Sequence, residues 1–138
     1  MTAPQGSAAD LVRAYYTAFN AGDWLAMLDC LTEDVAHDIN QGARETGRAA
    51  FADFLVRMER CYRERAEDLV VMASADGARA AAEFTIHGAY LMADAGLPPA
   101  HGQAYVLPVG AFFAIRDGRI ARVTNHYNLQ DWMAQVGS

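Results

Sequence analysis

Four short clusters carry residue types that can move a proton or orient a small molecule. His37 and Asp38 stand side by side in the segment Val35-Ala36-His37-Asp38-Ile39-Asn40. An imidazole titrates near neutrality, and a carboxylate in an apolar setting becomes a usable base, so either suits acid–base work. The segment reads as extended, and alternate residues of a strand point to opposite faces. Either His37 and Ile39 face a pocket or Asp38 and Asn40 do, and a slip of one residue exchanges the two. The plain alternative is a polar strand end facing solvent. Glu83, Thr85 and His87 alternate with Phe84 and Ile86. Turned inward, they would put a Glu–His pair beside a ligand; turned outward, they form a solvated face. Asn125 and Tyr127 share one face of a further strand, with His126 on the other. An asparagine there can orient water or substrate but cannot shuttle a proton. Tyr15 offers a phenol on the apolar side of a helix, with an ordinary core tyrosine as the competing reading.

No metal or cofactor is expected. The four histidines, His37, His87, His101 and His126, show neither H-x-x-x-H spacing nor an H-E-x-x-H signature. Cys30 and Cys61 form no C-x-x-C pair and read as buried free thiols. The chain has no phosphate-cradling G-x-x-x-x-G-K-[ST] loop, no dinucleotide fingerprint and no recognisable nucleophile motif.

The elements that must position these groups follow from periodicity. Leu11, Tyr15 and Phe19 recur on one face of a helix over about residues 8–20, ended by Asn20-Ala21-Gly22. Tyr16 points about 100° away from Tyr15 by helix geometry and is the weaker candidate. Asp23 caps a second short helix carrying Trp24, Met27, Leu28 and Leu31. Phe51, Phe54, Leu55, Met58 and Tyr62 give a third helix, over about residues 49–63, one apolar face, and Phe54 is expected to contribute to a ligand's pocket. Strands are then expected over residues 68–73, 79–92, 103–115 and 119–128, with Asp76-Gly77 and Asp117-Gly118 as hairpin turns. Residues 94–102, with Pro98-Pro99, make a loop long enough to cover a pocket. A short helix over residues 130–135 closes the chain. Helices first and antiparallel strands later mark an α+β fold. Pro108 and Gly110 inside a long strand predict a bulge that bends it. A sheet bent over three helices makes a cone-shaped α+β barrel with a hollow end, a setting for small ligands.

The 138 residues suit a single domain over residues 1–138, with residues 1–7 as a flexible leader. Apolar residues make up 53% and charged residues 20%, ordinary for a globular protein. A net charge of −6 argues against nucleic acid and anionic membranes as partners. The start of the chain lacks an apolar signal core, and no apolar run reaches membrane-spanning length. Low cysteine use fits a reducing cytoplasm.

Residues 15–23 (YYTAFNAGD), 31–38 (LTEDVAHD) and 117–127 (DGRIARVTNHY) resemble the nuclear transport factor two-like superfamily. Within it, the chain is similar to SnoaL-like polyketide cyclases and to ketosteroid isomerase-like proteins. The resemblance covers nearly the whole chain and implies the cone-shaped fold, with three N-terminal helices packed in a strongly curved, mostly antiparallel sheet. It also implies a homodimer paired through the outer sheet face. The fold hosts isomerases, cyclases, dehydratases, epoxide hydrolases and non-catalytic binders, so it does not fix the function. In a ketosteroid isomerase a carboxylate shuttles a proton from carbon while a phenol and a protonated acid hold the enolate oxygen. Aligned on the NAGD motif, Tyr15 takes the phenol's position. Ungapped, Ile39 falls at the base's position; a one-residue deletion puts Asp38 there, and His-Asp at this place favours Asp38. The protonated acid falls near Gly110, which has no side chain to offer. Related hydrolases and cyclases keep a polar residue near Asn125.

The expected catalytic set is therefore Asp38, His37 and Tyr15, and the expected substrate contacts are Asn40, Asn125, Tyr127, Glu83, His87 and Phe54. The substrate would be a small apolar carbonyl compound, isomerised or cyclised without a cofactor. A binder of the same fold that converts nothing is the alternative, favoured by Gly110. A protein–protein module ranks third, since no feature indicates a partner groove.

Overall fold

Ser7 starts the first helix: its hydroxyl accepts the Asp10 N–H at 3.1 Å. The helix, α1 (Ala8–Ala21), runs until Gly22 turns left-handed at φ 67°, a conformation glycine takes without a Cβ penalty. Asp23 accepts the Ala26 N–H and opens α2 (Trp24–Asp29). The computed structural model describes residues 7–40 and 42–137, so the expected leader lies outside the described residues except for Ser7.

After α2 come β1 (Leu31–Asp38), a short β2 (Arg44–Thr46) and α3 (Arg48–Cys61). Then follow β3 (Tyr62–Ala73), β4 (Arg79–Tyr90), β5 (Gln103–Arg116), β6 (Arg119–Tyr127) and α4 (Leu129–Val136). The sheet order is β2-β1-β6-β5-β4-β3, antiparallel throughout except for the parallel β1–β6 pair. The fold is α+β, with an unclosed, curved sheet. The segment expected as a polar turn before α3 holds β2, and β3 begins directly after α3 at Tyr62 rather than at Asp68.

The bending sites differ from the expected one. Gly110 pairs in regular register with Glu83 on β4 and His126 on β6. Pro108 follows the regular β4 ladder too, and it lies just past Val109–Tyr127, where β6 runs out. Its missing N–H therefore breaks no ladder bond. The extra residues sit elsewhere, between Glu67 and Val70 on β3, opposite Ala114–Ile115 on β6, and between Leu31 and Ala36 on β1. Asp68 takes φ 57° in the first of these, an αL position that aspartate tolerates better than most.

Helix α1 lies on the concave face. Val12, Tyr15 and Tyr16 pack there with Phe113, Val123, Ala82 and Ala111, all buried. Along β4 the even-numbered residues Ala80 to Ile86 are buried while Glu83 and His87 are exposed. Two side-chain amides finish strand stretches that have no partner strand. Asn20 donates to the Ala66 carbonyl at 2.9 Å and accepts its N–H at 2.8 Å, on the outer edge of β3. Gln135 of α4 does the same to Val106 at 2.8 and 2.9 Å, on the part of β5 that β6 does not reach. Among the described residues no helix is long and apolar enough to cross a membrane.

Candidate functional site

The concave face of the sheet, α1, α3 and the β4–β5 loop enclose a cavity of about 440 Å³. That volume lies within the range of small-molecule pockets. Most of its wall is apolar: Phe19, Trp24, Met27, Leu55, Phe84 and Leu107 contribute. The polar groups in the wall are few, and each has a definite origin.

On β1, Val35 and His37 face inward and Asp38 outward. The inward orientation expected for Asp38 is thereby corrected: pairing with β2 and β6 sets a register in which His37 takes the buried face. Asp38 instead accepts two bonds from Arg44, at 2.6 and 3.0 Å, and one from the Thr124 hydroxyl at 2.7 Å. The Arg44 guanidinium holds its carboxyl down at about 2. His37 is 2% exposed, stacked on Phe51 at 4.4 Å and edge-on to Phe54 at 4.6 Å. Burial lowers its pKa to about 4, so the imidazole is neutral at pH 7, and its Nδ1 is buried without a hydrogen-bond partner. Asn40 also lines the cavity, because β1 ends at Asp38 and strict alternation ends with it. Its Oδ1 accepts the Tyr127 N–H at 3.1 Å, while its Nδ2 is buried and unpartnered.

Tyr15, Phe54, Asn125 and Tyr127 line the cavity as expected from their faces. Tyr16, set aside by helix geometry, lines it too, tilted against Phe84 at 4.7 Å. Burial raises both α1 phenols well above their ordinary range, so both stay protonated donors. Glu83 and His87 are not in the wall: they lie on the outer face of β4, with His87 3.9 Å from Glu67. The β4 pleat turns Phe84 and Ile86 inward, and that excludes their neighbours. The inward reading of this pair is thereby corrected.

Two carboxylates in the wall were not anticipated. Glu64 on β3 lines the cavity, and its Oε2 accepts the Tyr105 hydroxyl at 2.5 Å. Burial pushes the Glu64 carboxyl up, and the Tyr105 bond opposes that push. Asp94, in the β4–β5 loop, accepts the Tyr62 hydroxyl at 2.8 Å and lies 3.6 Å from Nε of Arg57. Arg57 in turn sits 5.4 Å over the Phe54 ring. The signal for Glu64 was present in Tyr62-x-Glu64-x-Ala66, a strand alternation hidden among Arg63, Arg65 and Glu67. Asp94 lies in an irregular loop, where no periodicity points anywhere. Among the described residues no group of three His, Cys, Asp or Glu is arranged to hold a metal.

The cavity thus combines a carboxyl with raised proton affinity, protonated phenols, an unpartnered amide donor and a neutral imidazole. Such a set can take a proton from carbon or return one, and can hold a developing oxyanion. A SnoaL-like domain profile matches residues 12–123. A solved structure of a candidate polyketide cyclase from Pseudomonas putida is 65% identical, covering 95% of this chain and 98% of that one with a TM-score of 0.94. A second, from Xanthomonas campestris, is 63% identical over 93% of this chain and 95% of its own, with a TM-score of 0.90. A candidate ketosteroid isomerase from Kribbella flavida shares the fold at 24% identity, covering 88% of this chain and 77% of that one, TM-score 0.62. None of the functionally curated proteins matches the chain.

Proposed function

Because this chain belongs to the SnoaL-like domain family, we propose that its cavity takes a small, mostly apolar carbonyl compound and that Glu64 moves a proton on it. The observation that carries this reading is the Glu64 carboxyl, in an apolar wall and raised by burial. A carboxylate raised by burial is a stronger base than a solvated one. As a carbon–hydrogen bond beside the carbonyl breaks, negative charge moves to the carbonyl oxygen. The Asn40 Nδ2 donor and the phenols of Tyr15 and Tyr16 are the groups assigned to hold it. His37, neutral and fixed between two phenylalanines, serves as a second proton carrier or donor, and Asn125 and Tyr127 orient the substrate. Asp38, ion-paired outside the cavity, has no part. Isomerisation or cyclisation is the reaction class, in keeping with the candidate polyketide cyclases it is similar to. No cofactor is assigned.

The test begins with a thermal-shift screen against steroids, terpenoids, polyketide-like aromatic ketones and lactones. A ligand at about 100 times its Kd adds about 2.7 kcal/mol of stability. Each hit is then assayed for turnover with wild type and Glu64→Gln. The expected result is ligand affinity retained and kcat lower by about 10² to 10⁴. Equal turnover in the variant would remove Glu64 from the chemistry.

A non-catalytic binder is the second reading. The expectation that Gly110 supports it is corrected, since Gly110 pairs with the outward-facing Glu83 and His126 and lies on the outer face. Its inward-facing neighbours Val109 and Ala111 are apolar, so this stretch of β5 still brings no acid to the wall, and that favours a binder. Hits without any turnover would select it. We further propose that residues 1–138 form a single domain and that two copies pair through the outer sheet face. Val70, Met72, Val106 and Phe112 are about half exposed there. Sedimentation of the intact chain and of Phe112→Glu measures this, with the variant expected to sediment as a monomer.

A further inference from the structure

We propose that Tyr105, lying across Gly88, is the positioning residue that fixes the Glu64 carboxyl in the cavity wall. The catalytic consequence rests on the proton-transfer reading above; the positioning does not. Glu64, Gly88 and Tyr105 occupy one row across three strands, since Glu64 pairs with Gly88 and Gly88 with Tyr105. Strands lie about 4.8 Å apart, so Glu64 and Tyr105 are two strands and about 10 Å apart at the backbone. Side chains in a sheet normally stand perpendicular to it, and upright ones two strands apart do not touch. Here the tyrosine ring folds down over β4, and its hydroxyl donates to Oε2 of Glu64 at 2.5 Å.

Gly88 makes that fold possible. A Cβ at position 88 would lie 2.4 to 2.6 Å from Cζ, Cε2 and the hydroxyl of Tyr105. The backbone gives no other reason for glycine, because Gly88 is absent from the residues with positive φ. What position 88 requires is empty space, and the ring fills it. Tyr105 is 2% exposed, and Trp132 of α4 packs edge-on against it at 6.0 Å. With Oε2 held by the phenol, Oε1 is left to meet a ligand. The other titratable or charged groups of the cavity wall are Tyr62 on β3, Tyr127 on β6, Asp94, His37, Arg57 and the two α1 phenols. Among them, Tyr127 is raised first by burial and then by the charges of Glu64 and Asp94.

The experiment is a ¹³C titration of carboxyl-labelled glutamates in the intact protein, with the Glu64 signal assigned by its loss in Glu64→Gln. Tyr105→Phe removes one oxygen and keeps the ring. It is expected to move the Glu64 midpoint up by about one pH unit, the effect of losing a hydrogen bond to a charged group. Gly88→Ala displaces the ring and is expected to move the midpoint the same way. The double variant should go no further than Tyr105→Phe alone, since both act through one hydroxyl. An unchanged midpoint in Tyr105→Phe overturns the proposal, even where Gly88→Ala fails to fold. A shifted midpoint in Tyr105→Phe, together with undiminished turnover in Glu64→Gln, supports the positioning and sinks the proton-transfer reading instead.

Discussion

Acidification is expected to weaken the fold through His37 alone by about 3 kcal/mol between pH 7 and pH 4. The imidazole is 2% exposed, and desolvation brings its pKa from the ordinary 6.5 to about 4. An unfolded chain takes up the proton near pH 6.5, whereas the folded chain takes it up only near pH 4. Between those values the unfolded state holds more protons, so stability falls as pH falls. The full linkage is present above pH 6.5 and is lost towards pH 4. A fold of this size has about 5–15 kcal/mol in total, so the loss is measurable. Glu64 works in the opposite direction. Its raised pKa means stability present below the ordinary carboxylate range and lost as pH rises through the folded value. The wild-type curve therefore mixes two opposed windows. The clean quantity is the stability difference between wild type and His37→Gln, from urea unfolding at pH 7, 5.5 and 4. At pH 7 the variant is less stable, having lost the ring contacts with Phe51 and Phe54. By pH 4 the difference shrinks or reverses, by about 3 kcal/mol. A difference that stays constant with pH would refute the desolvation argument.

Asp38→Asn is expected to leave ligand binding and turnover unchanged, because its side chain faces away from the cavity; a large loss of turnover would restore it as a candidate. Its stability cost appears only above about pH 4 and fades as pH falls towards 2, where the wild-type carboxylate is protonated too, and unfolding at pH 7 and 2.5 reads it. Asn20→Ala removes two part-buried hydrogen bonds and is expected to cost about 1–3 kcal/mol by urea unfolding, with Asn20→Asp restoring only the acceptor half.

Elements governed by local periodicity were legible in the sequence. The apolar faces of α1 and α3 and the Asp117-Gly118 turn, with φ of 53° and 75°, follow from helix spacing and turn chemistry. The start of β3 was not legible, because Tyr62 belongs to the apolar period of α3 and also opens the strand. That overlap hid Glu64. The choice between His37 and Asp38 depends on register, a non-local quantity set by pairing with β2 and β6. Tyr15, Asn125 and Tyr127 were legible because each shares a face with buried neighbours. The Glu64–Tyr105 bond joins residues 41 apart, and only the glycine between them left a trace: an isolated Gly88 inside a strand marks close approach. Glu83 and His87 show the converse, since a polar alternation looks the same from either face until packing selects one.

The two side-chain amides on unpaired strand stretches have a consequence for the protein among its own copies. An unpaired stretch of strand offers N–H and C=O groups that a second chain can extend into a continuous cross-β ladder. Asn20 and Gln135 each present one amide with donor and acceptor spaced like a peptide, so Ala66 and Val106 are already saturated. A single amide cannot propagate a ladder, because it has no following residue to bond the next position. Each therefore acts as a chain terminator at its own position, one on the outer edge of β3 and one on the part of β5 that β6 does not reach.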